Sequence, residues 1–545
     1  MRGCLLLACG SVLVQMGGTA ARAADTTPDL PLLAFASAVA PATDPYLLAF
    51  APANPAAVGD PNRLASGAGD VSTADASSQA SSSGDDQSKS RLSESPKPPV
   101  TQARDKSRLS ESPKPLLKEH KDLPERNPPI FEWNLPFLGP GNIISGFKSP
   151  TGAVWQPAFW GFGDFIATAG YANNGVNPGQ SYISSRADLF GNLQLTPTER
   201  VVVGFTPLSL GSARGTGFLH TDGDGTQFYN GLDANVRTLF FEGDTRQLFP
   251  GIDPDDRLGR DYGFAVGRQP IFFQEGIMID DNIQALGITK DTIQIPGITQ
   301  DMRITGVYGW ADIRRGNNLV DPTAYLLGIF TETDLRKSVV TFDFSYIGSD
   351  NPPDISGVRQ GGSGVYFGAS ATQRFGDINT AFRVNTSTAL DGTGTAVDNG
   401  ALLLGEFSRT VTGSTDLVYA NVFETIGHYT SAARSTDAGG PLERVGIMFT
   451  PPAAGLVGSP ISGYADHVYG GALGYQMFFG PRKQLTLELA GENDTNGSKQ
   501  GVVGIEGQYL QAITSRTSIQ FNAFLLDGES GHVGSGVSVE SRTRW

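Results

Sequence analysis

The chain has 545 residues, a formal net charge of −15 and only 17% charged residues, while glycine accounts for 69 positions. Glycine is thus nearly twice as frequent as the average of about 7%, and charge falls short of the ~25% typical of soluble proteins. The negative charge argues against a nucleic-acid partner. No uninterrupted run of about 18 apolar residues is present, so no transmembrane helix is predicted.

The N-terminus has the pattern of a secretory signal peptide, predicted over residues 1–23. Arg2 is followed by an apolar run at 5–14, and Ala21 and Ala23 supply a small-residue cleavage site. Both cysteines of the chain, Cys4 and Cys9, fall within this segment. The mature chain is therefore expected to contain no disulfide, thiolate metal site or cysteine nucleophile.

Residues 24–126 form a tract rich in Ala, Ser and Pro without hydrophobic periodicity, which predicts a disordered linker. Two short sequences recur in it: 32–36 returns at 47–51, and 89–98 returns at 106–115. Such repeats arise by slippage in an unconstrained linker, or they form a docking motif for a periplasmic partner or the cell wall; the sequence leaves both open.

An aromatic segment with several prolines follows at 127–150. We interpret it as a lead-in that packs at the periplasmic end of the next domain or plugs its lumen. Pro136 argues against a regular first strand, because proline cannot donate to a strand ladder.

From 151 to 545 the hydrophobic pattern has a period of two. At 340–346, for example, apolar side chains alternate with Thr341, Asp343 and Ser345. The segments run about 9–13 residues, the length that a tilted strand needs to cross a bilayer, and aromatic residues lie near their ends. The sequence predicts an all-β fold, a transmembrane antiparallel β-barrel of about 18 strands (16–18). Such a barrel is wide enough for a water-filled passage.

Irregular stretches rich in Gly, Asp, Pro and Ser separate some of the strands. They are 209–232, 243–261, 350–364, 389–400 and 430–466. We expect most of them to be external loops, because the opposite ends of such barrels have short turns, and one or more to fold inward and narrow the pore.

Charged residues on the polar face of the strands are expected to point into the lumen, because an Arg or Lys facing lipid at mid-bilayer costs about 2–4 kcal/mol. The lumen candidates are Arg186, Asp188, Arg237, Arg268, Arg303, Asp343, Arg383, Glu488, Glu506, Glu540, Arg542 and Arg544. They either pair across the wall or select solutes. Arg outnumbers Lys 22 to 4 in 151–545, which fits rigid donors for carboxylates or sugar hydroxyls, but this part also carries a net charge of −14.

Signatures of enzymes and cofactors are absent from the sequence. The five histidines are too far apart to suggest a metal pair, and neither a phosphate-binding loop nor a Gly-x-Ser-x-Gly elbow occurs. No cofactor is expected. Asp222 and Asp224 resemble half of a calcium loop, although the downstream bidentate Glu is missing and an Asp/Gly turn has the same pattern.

Two features carry a resemblance to known proteins. The final residue, Trp545, lies on the apolar face of the last segment and resembles the C-terminal signature of bacterial outer-membrane proteins. The runs 262–270 and 276–287, centred on Gly267, Arg268 and Gln269, are similar to a segment of alginate-export-like porins. The resemblance implies a monomeric barrel in which arginines, here Arg268, line a passage for a polyuronate. Since Arg268 shares its parity with the apolar Val266, an inward Arg268 requires a bulge near Gly267.

These observations together predict a bacterial outer-membrane protein. The favoured function is a porin-like channel for passive or facilitated passage of small hydrophilic solutes, such as sugars or carboxylates. One alternative is a structural or adhesive barrel with a plugged lumen and a periplasmic tether, and another is an enzyme with a Ser or Asp beside a rim histidine. The expected partners are outer-membrane lipids, the outer-membrane assembly machinery, the solutes and a periplasmic partner of 24–126.

Overall fold

The computed structural model describes residues 129–137, 145–175, 177–209, 215–254, 259–350, 361–497, 501–528, 531 and 533–545. The predicted signal peptide at 1–23 and the predicted linker at 24–126 lie outside the described residues. Within the described ranges, no helix has both the length and the apolar character needed to cross a membrane.

Eighteen strands build one sheet. They are β1 Ala158–Asn173, β2 Gln180–Gln194, β3 Arg200–Phe205, β4 Val236–Asp244, β5 Gly263–Phe273, β6 Ile279–Lys290, β7 Asp301–Ala311, β8 Tyr325–Asp334, β9 Ser338–Gly348, β10 Gly364–Phe375, β11 Ile378–Ala389, β12 Gly400–Thr410, β13 Leu417–Gly427, β14 Val468–Phe478, β15 Lys483–Asp494, β16 Val502–Ala512, β17 Thr517–Gly528 and β18 Val533–Arg544.

Each strand pairs antiparallel with its neighbour in the chain, and β18 pairs with β1 from Ser535–Asn173 to Arg544–Asp164. The sheet is therefore closed on itself. Closure matters in a membrane because an open edge would expose unpaired N–H and C=O groups to lipid. The predicted 18-stranded antiparallel barrel is confirmed.

The two faces of the wall differ as the period-two pattern predicts. In β9, Phe342 and Phe344 are 55% and 49% exposed, whereas Asp343 between them is only 4% exposed. Other strands present the same kind of outer face, with exposed Ile183, Ile329, Leu473, Leu489, Ile505, Leu525 and Val537. The outer surface is an apolar band suited to lipid, and the polar side chains face the lumen.

The two ends of the barrel differ in the length of their connections. The end that carries Trp545 has turns as short as 335–337 and 376–377, while the opposite end has long connections at 206–235 and 428–467. By this asymmetry, the Trp545 end faces the periplasm. The stretch 243–261, grouped with the external loops by composition, lies at the Trp545 end between β4 and β5. Composition alone marks a loop without saying at which end of a strand it lies.

Several short elements accompany the barrel. They are the strands Phe131–Trp133, Phe147–Lys148, Val154–Trp155, Thr216–Thr221, Gly225–Tyr229, Ile313–Arg314, Val320–Asp321 and Ala433–Arg434, the helix Thr245–Leu248, and the 3₁₀ turns Gln274–Gly276, Thr436–Ala438, Glu443–Val445 and Ile447–Phe449. The helix begins after Asp244, whose side chain accepts hydrogen bonds from the N–H groups of Arg246 and Gln247.

The described part of the lead-in segment lies at the Trp545 end. Phe131–Trp133 pairs with residues 159–161 of β1, a stretch that β18 does not reach. At the position on β1 between these two pairings, Gly163 and Trp545 exchange backbone hydrogen bonds. Phe137 packs edge-on against Trp160. The segment thereby covers the free end of the first strand, next to the C-terminal residue.

Candidate solute passage

Two strands leave the wall before they reach its outer end. β5 pairs with β4 only over 263–268, and β6 pairs with β7 only over 284–290. The two strands nevertheless remain paired with each other as far as Phe273 and Ile279. We call residues 269–283 the tongue, because this hairpin bends into the lumen.

The sequence around Gly267 explains the bend. Gly267 has φ +123, and a Cβ at this position would overlap the carbonyl oxygen of Leu239. Pro270 has no N–H to donate, and it lies just beyond the last residue of β5 that pairs with β4. Gln269 is fully buried and donates to the carbonyl oxygens of Ala265 and Ala285. The run Gly-Arg-Gln-Pro is thus the hinge of the tongue.

Arg268 forms polar contacts at the base of this hinge. Its Nε donates to the carbonyl oxygen of Arg237 at 2.9 Å, and its Nη1 lies 2.8 Å from a carboxylate oxygen of Asp312. The β5–β6 register runs through Gly267 without a shift, and the shift occurs in the neighbouring pair, between Gln284 and Ala285. Arg268 therefore connects β4 with the loop after β7.

The tip of the tongue reaches the wall at β8 and β9. Phe273 stacks on Phe330 with ring centroids 3.4 Å apart. Gln274 donates through its side-chain amide to Thr341 and Asp343, both at 2.7 Å. Gln274 and the next residue, Glu275, have φ values of +52 and +55. Two consecutive non-glycine residues in this region are strained, and such strain often occurs at functional sites.

The connection between β13 and β14, residues 428–467, also lies inside the barrel, and we call it the crossing loop. Its two ends meet in a bridge between His428 and Asp466. Ala433–Arg434 pairs in parallel with Ile279 and Asp280 of the tongue. The Arg434 guanidinium donates to the carbonyl oxygen of Gly276 at 2.5 Å.

The crossing loop then extends to the opposite wall. Glu488 of β15 accepts hydrogen bonds from the N–H groups of Ile447 and Met448, both at 2.9 Å. Farther along, the Ser184 hydroxyl of β2 donates to the carbonyl oxygen of Ala454 at 2.5 Å. Side chains of the loop that pack into apolar clusters with the wall include Leu442, Val445, Met448, Phe449, Leu456 and Val457. The expectation that a loop narrows the pore from within agrees with this arrangement.

A network of ion pairs joins the wall, the tongue and the crossing loop. Arg383 of β11 donates to Glu406 of β12 at 2.7 Å and lies 3.9 Å from Glu275 of the tongue. Arg444 of the crossing loop lies 3.3 Å from Glu275 and 3.6 Å from Glu406. These four residues form a closed ring of alternating charge.

Beside this ring is a pocket that is partly open to solvent; its empty space, with the solvent-open part included, is about 400 Å³. Its polar lining consists of Gln274, Glu275, Arg303, Thr305, Thr331, Glu332, Thr341, Asp343, Ser370 and Arg383. Arg303 lies 2.5 Å from Asp291 and 3.4 Å from Glu332. We call the charged residues of the pocket and the ring, together with Asp291, the eyelet cluster.

The structure brings three of the lumen candidates, Arg303, Asp343 and Arg383, together at the pocket. The other candidates lie outside this pocket. Arg186 pairs with Asp188 at 2.9 Å, and Arg542 pairs with Asp164. Glu488 and Glu506 face each other across β15 and β16.

The last three lumen candidates, Glu540, Arg544 and Arg237, also lie outside the pocket. Glu540 accepts from the Thr168 hydroxyl at 3.4 Å, while Arg544 lies 3.9 Å from Asp164. Arg237 is buried in β4.

Several members of the eyelet cluster were not found by sequence reasoning. Glu332 and Glu406 follow the alternation of their strands, so parity could have found them. Glu275, Asp291 and Arg444 lie in turns or a loop, where no periodic signal exists.

The calcium candidate lies apart from the passage. Asp222 and Asp224 stand in the turn of the exposed hairpin between Thr216–Thr221 and Gly225–Tyr229. In the ranges that the structure describes, no group of three or more His, Cys, Asp or Glu side chains is placed to hold a metal ion. The Asp/Gly run therefore forms a hairpin turn, and calcium binding there stays a prediction.

No protein-family profile and no curated protein sequence matches the chain. Solved structures do resemble it. OccK7 (OpdD) of Pseudomonas aeruginosa matches 72% of this chain and 99% of its own with 8% identity and a TM-score of 0.45. OpdK of the same organism, solved with vanillate, matches 71% and 98% with 10% identity and a TM-score of 0.43. Wzi of Escherichia coli, described as a carbohydrate-binding β-barrel in capsule assembly, matches 69% and 83% with 9% identity and a TM-score of 0.41.

Similarity at this level supports no inference about a solute. The closed ring of strands, the apolar outer band, the polar inner face and the difference between its two ends are the properties of a barrel embedded in a bacterial outer membrane. The chain is an outer-membrane β-barrel protein with 18 strands.

Proposed function

We propose that the protein is a channel through which small hydrophilic solutes cross the outer membrane by passive or facilitated diffusion. The observation that carries this proposal is the solvent-open pocket at the tip of the tongue, which is lined by charged and hydroxyl side chains. A polar constriction inside a wide barrel is how channels of this kind limit size and select charge.

The experiment is single-channel recording of the full chain, purified and refolded, in a planar lipid bilayer. Stable current steps that depend on the protein are the expected result. Correct folding is checked first by the mobility shift that closed barrels show on gels with and without heating. A folded barrel that carries no current contradicts the channel proposal.

A second candidate function is supported by the crossing loop, which contacts β15 and also β2, five strands farther around the wall. In this alternative the lumen is plugged, and the barrel has a structural or adhesive role with 24–126 as a periplasmic tether. A silent, folded barrel favours it. Three further points are part of the channel proposal and not findings: the class of solute, the role of Arg268 in lining the passage, and the resemblance to alginate-export-like porins.

A further inference from the structure

The eyelet cluster contains more carboxylates than guanidinium groups. Its acidic residues are Glu275, Asp291, Glu332, Asp343 and Glu406, and its basic residues are Arg303, Arg383 and Arg444. Five carboxylates against three guanidinium groups leave an excess of two negative charges when all are ionised. The abundance of arginine in the sequence therefore does not set the sign of charge at this site.

Each guanidinium group of the cluster is already shared between two carboxylates. Arg303 contacts Asp291 and Glu332. Arg383 and Arg444 both contact Glu275 and Glu406. An anionic solute would have to compete with these carboxylates for every arginine, and the positive charge available to it is small.

The hydrogen-bond acceptors that line the pocket have fewer partners than its guanidinium groups. Asp343 receives hydrogen bonds only from neutral groups, the Gln274 amide and the N–H of Thr331 at 2.9 Å, and it forms no ion pair with any described residue. Gln274 is 3% exposed, and its Oε1 has no hydrogen-bond partner among the described atoms although the residue lines the pocket. A buried acceptor without a donor is costly, so a ligand that donates N–H groups would be favoured here.

We infer that the eyelet is selective for cations and binds the ammonium group of small organic amines. An ammonium group has three N–H donors, and three residues that line this pocket, Asp343, Glu332 and Gln274, carry acceptor oxygens. The inference rests on the proposed channel function and names the solute class of the same site.

The test is the reversal potential of the full chain in a planar bilayer at pH 8, first in a KCl gradient. Butylammonium chloride and potassium butyrate then serve as probes of matched size and opposite charge. We expect K⁺ to be favoured over Cl⁻ by about threefold or more, and butylammonium to permeate better than butyrate. A ratio below one, or butyrate permeating better, overturns the inference while leaving the channel intact. A folded barrel without current overturns both the channel and its selectivity.

Single substitutions test whether the charge selectivity arises at the eyelet cluster. Asp343→Asn removes a charge with little change of shape and lowers the cation preference by about threefold, whereas Arg303→Gln raises it. Asp188→Asn is the matched control, because it removes a carboxylate that pairs with Arg186 outside the eyelet cluster. Glu332→Gln replaces Asp343→Asn if the latter does not fold. Equal shifts in Asp343→Asn and Asp188→Asn would overturn the assignment to the eyelet.

Discussion

At the scale of single residues, Gly267 determines where the tongue leaves the wall. Its φ of +123 is a conformation that other residues rarely adopt, and a Cβ there would overlap the backbone of β4. From the sequence, an inward Arg268 required a bulge near Gly267, but the β5–β6 register runs through Gly267 without a shift. The sequence could not predict that a whole hairpin turns into the lumen here, because that depends on contacts with β8 and β9.

Gly267→Val is expected to destabilise the barrel by about 2 kcal/mol or more, through backbone strain and the overlap with Leu239. The measurement is the urea midpoint of the refolded protein, followed by its heat-dependent gel mobility. Gly306→Val is the matched control, because a Cβ at Gly306 meets no atom within 4 Å. Equal midpoints for the two variants would show that the hinge tolerates a side chain.

Glu488 is the main polar contact of β15 with the crossing loop. Glu488→Ala leaves the buried N–H of Met448 and that of Ile447 without their acceptor, at a cost of about 1–3 kcal/mol. We expect faster proteolysis within 436–450 and noisier current. Glu506→Gln alters the neighbouring acid, which receives no hydrogen bond from the described part of the loop, and should behave like the unmodified chain. Identical proteolysis of both variants would contradict the anchoring role of Glu488.

At the scale of elements, alternation identified strands but not their position in the barrel. β5 and β6 alternate like wall strands; β5 begins in the wall and β6 ends in it. Residues 269–283 remain paired with each other after the hairpin leaves the wall. The pairing within the hairpin therefore does not show where it leaves the wall. Likewise, parity placed Asp343 and Arg383 on the inner face, but the contacts of Asp343 with Gln274 and of Arg383 with Glu275 depend on where the tongue lies in the lumen.

The position of the tongue can be tested with an engineered disulfide. A Cβ added at Gly368 of β10 would lie 2.6 Å from Cγ of Gln274, so cysteines at both positions are close enough to bond. We expect Gln274→Cys with Gly368→Cys to form a disulfide during export, detected as a mobility difference that reductant abolishes. Gln274→Cys with Gly306→Cys is the control pair and should stay reduced. If both thiols of the first pair remain free in the folded barrel, the inward position of the tongue is contradicted.

At the scale of the whole molecule, the strand pairing of the barrel wall does not depend on the crossing loop. The wall depends on ladders between neighbouring strands, and β13 pairs with β14 from Leu417–Gln476 to Glu424–Tyr469 without any residue of the crossing loop. The ends of the loop are already bridged at His428 and Asp466. A short turn between His428 and Asp466 can therefore join the two strands in place of 429–465.

Replacing 429–465 with an Asn-Gly turn should leave a folded barrel with a lower melting temperature, because the apolar clusters around Leu442 and Phe449 are lost. Its conductance should rise about threefold or more, since the loop now reaches from β13 across to β2. Glu488→Ala, which loosens the loop without removing it, should give an intermediate conductance. If the full chain conducts and the shortened chain conducts equally, the crossing loop lies beside the passage. If only the shortened chain conducts, the loop is a plug and the structural alternative gains support.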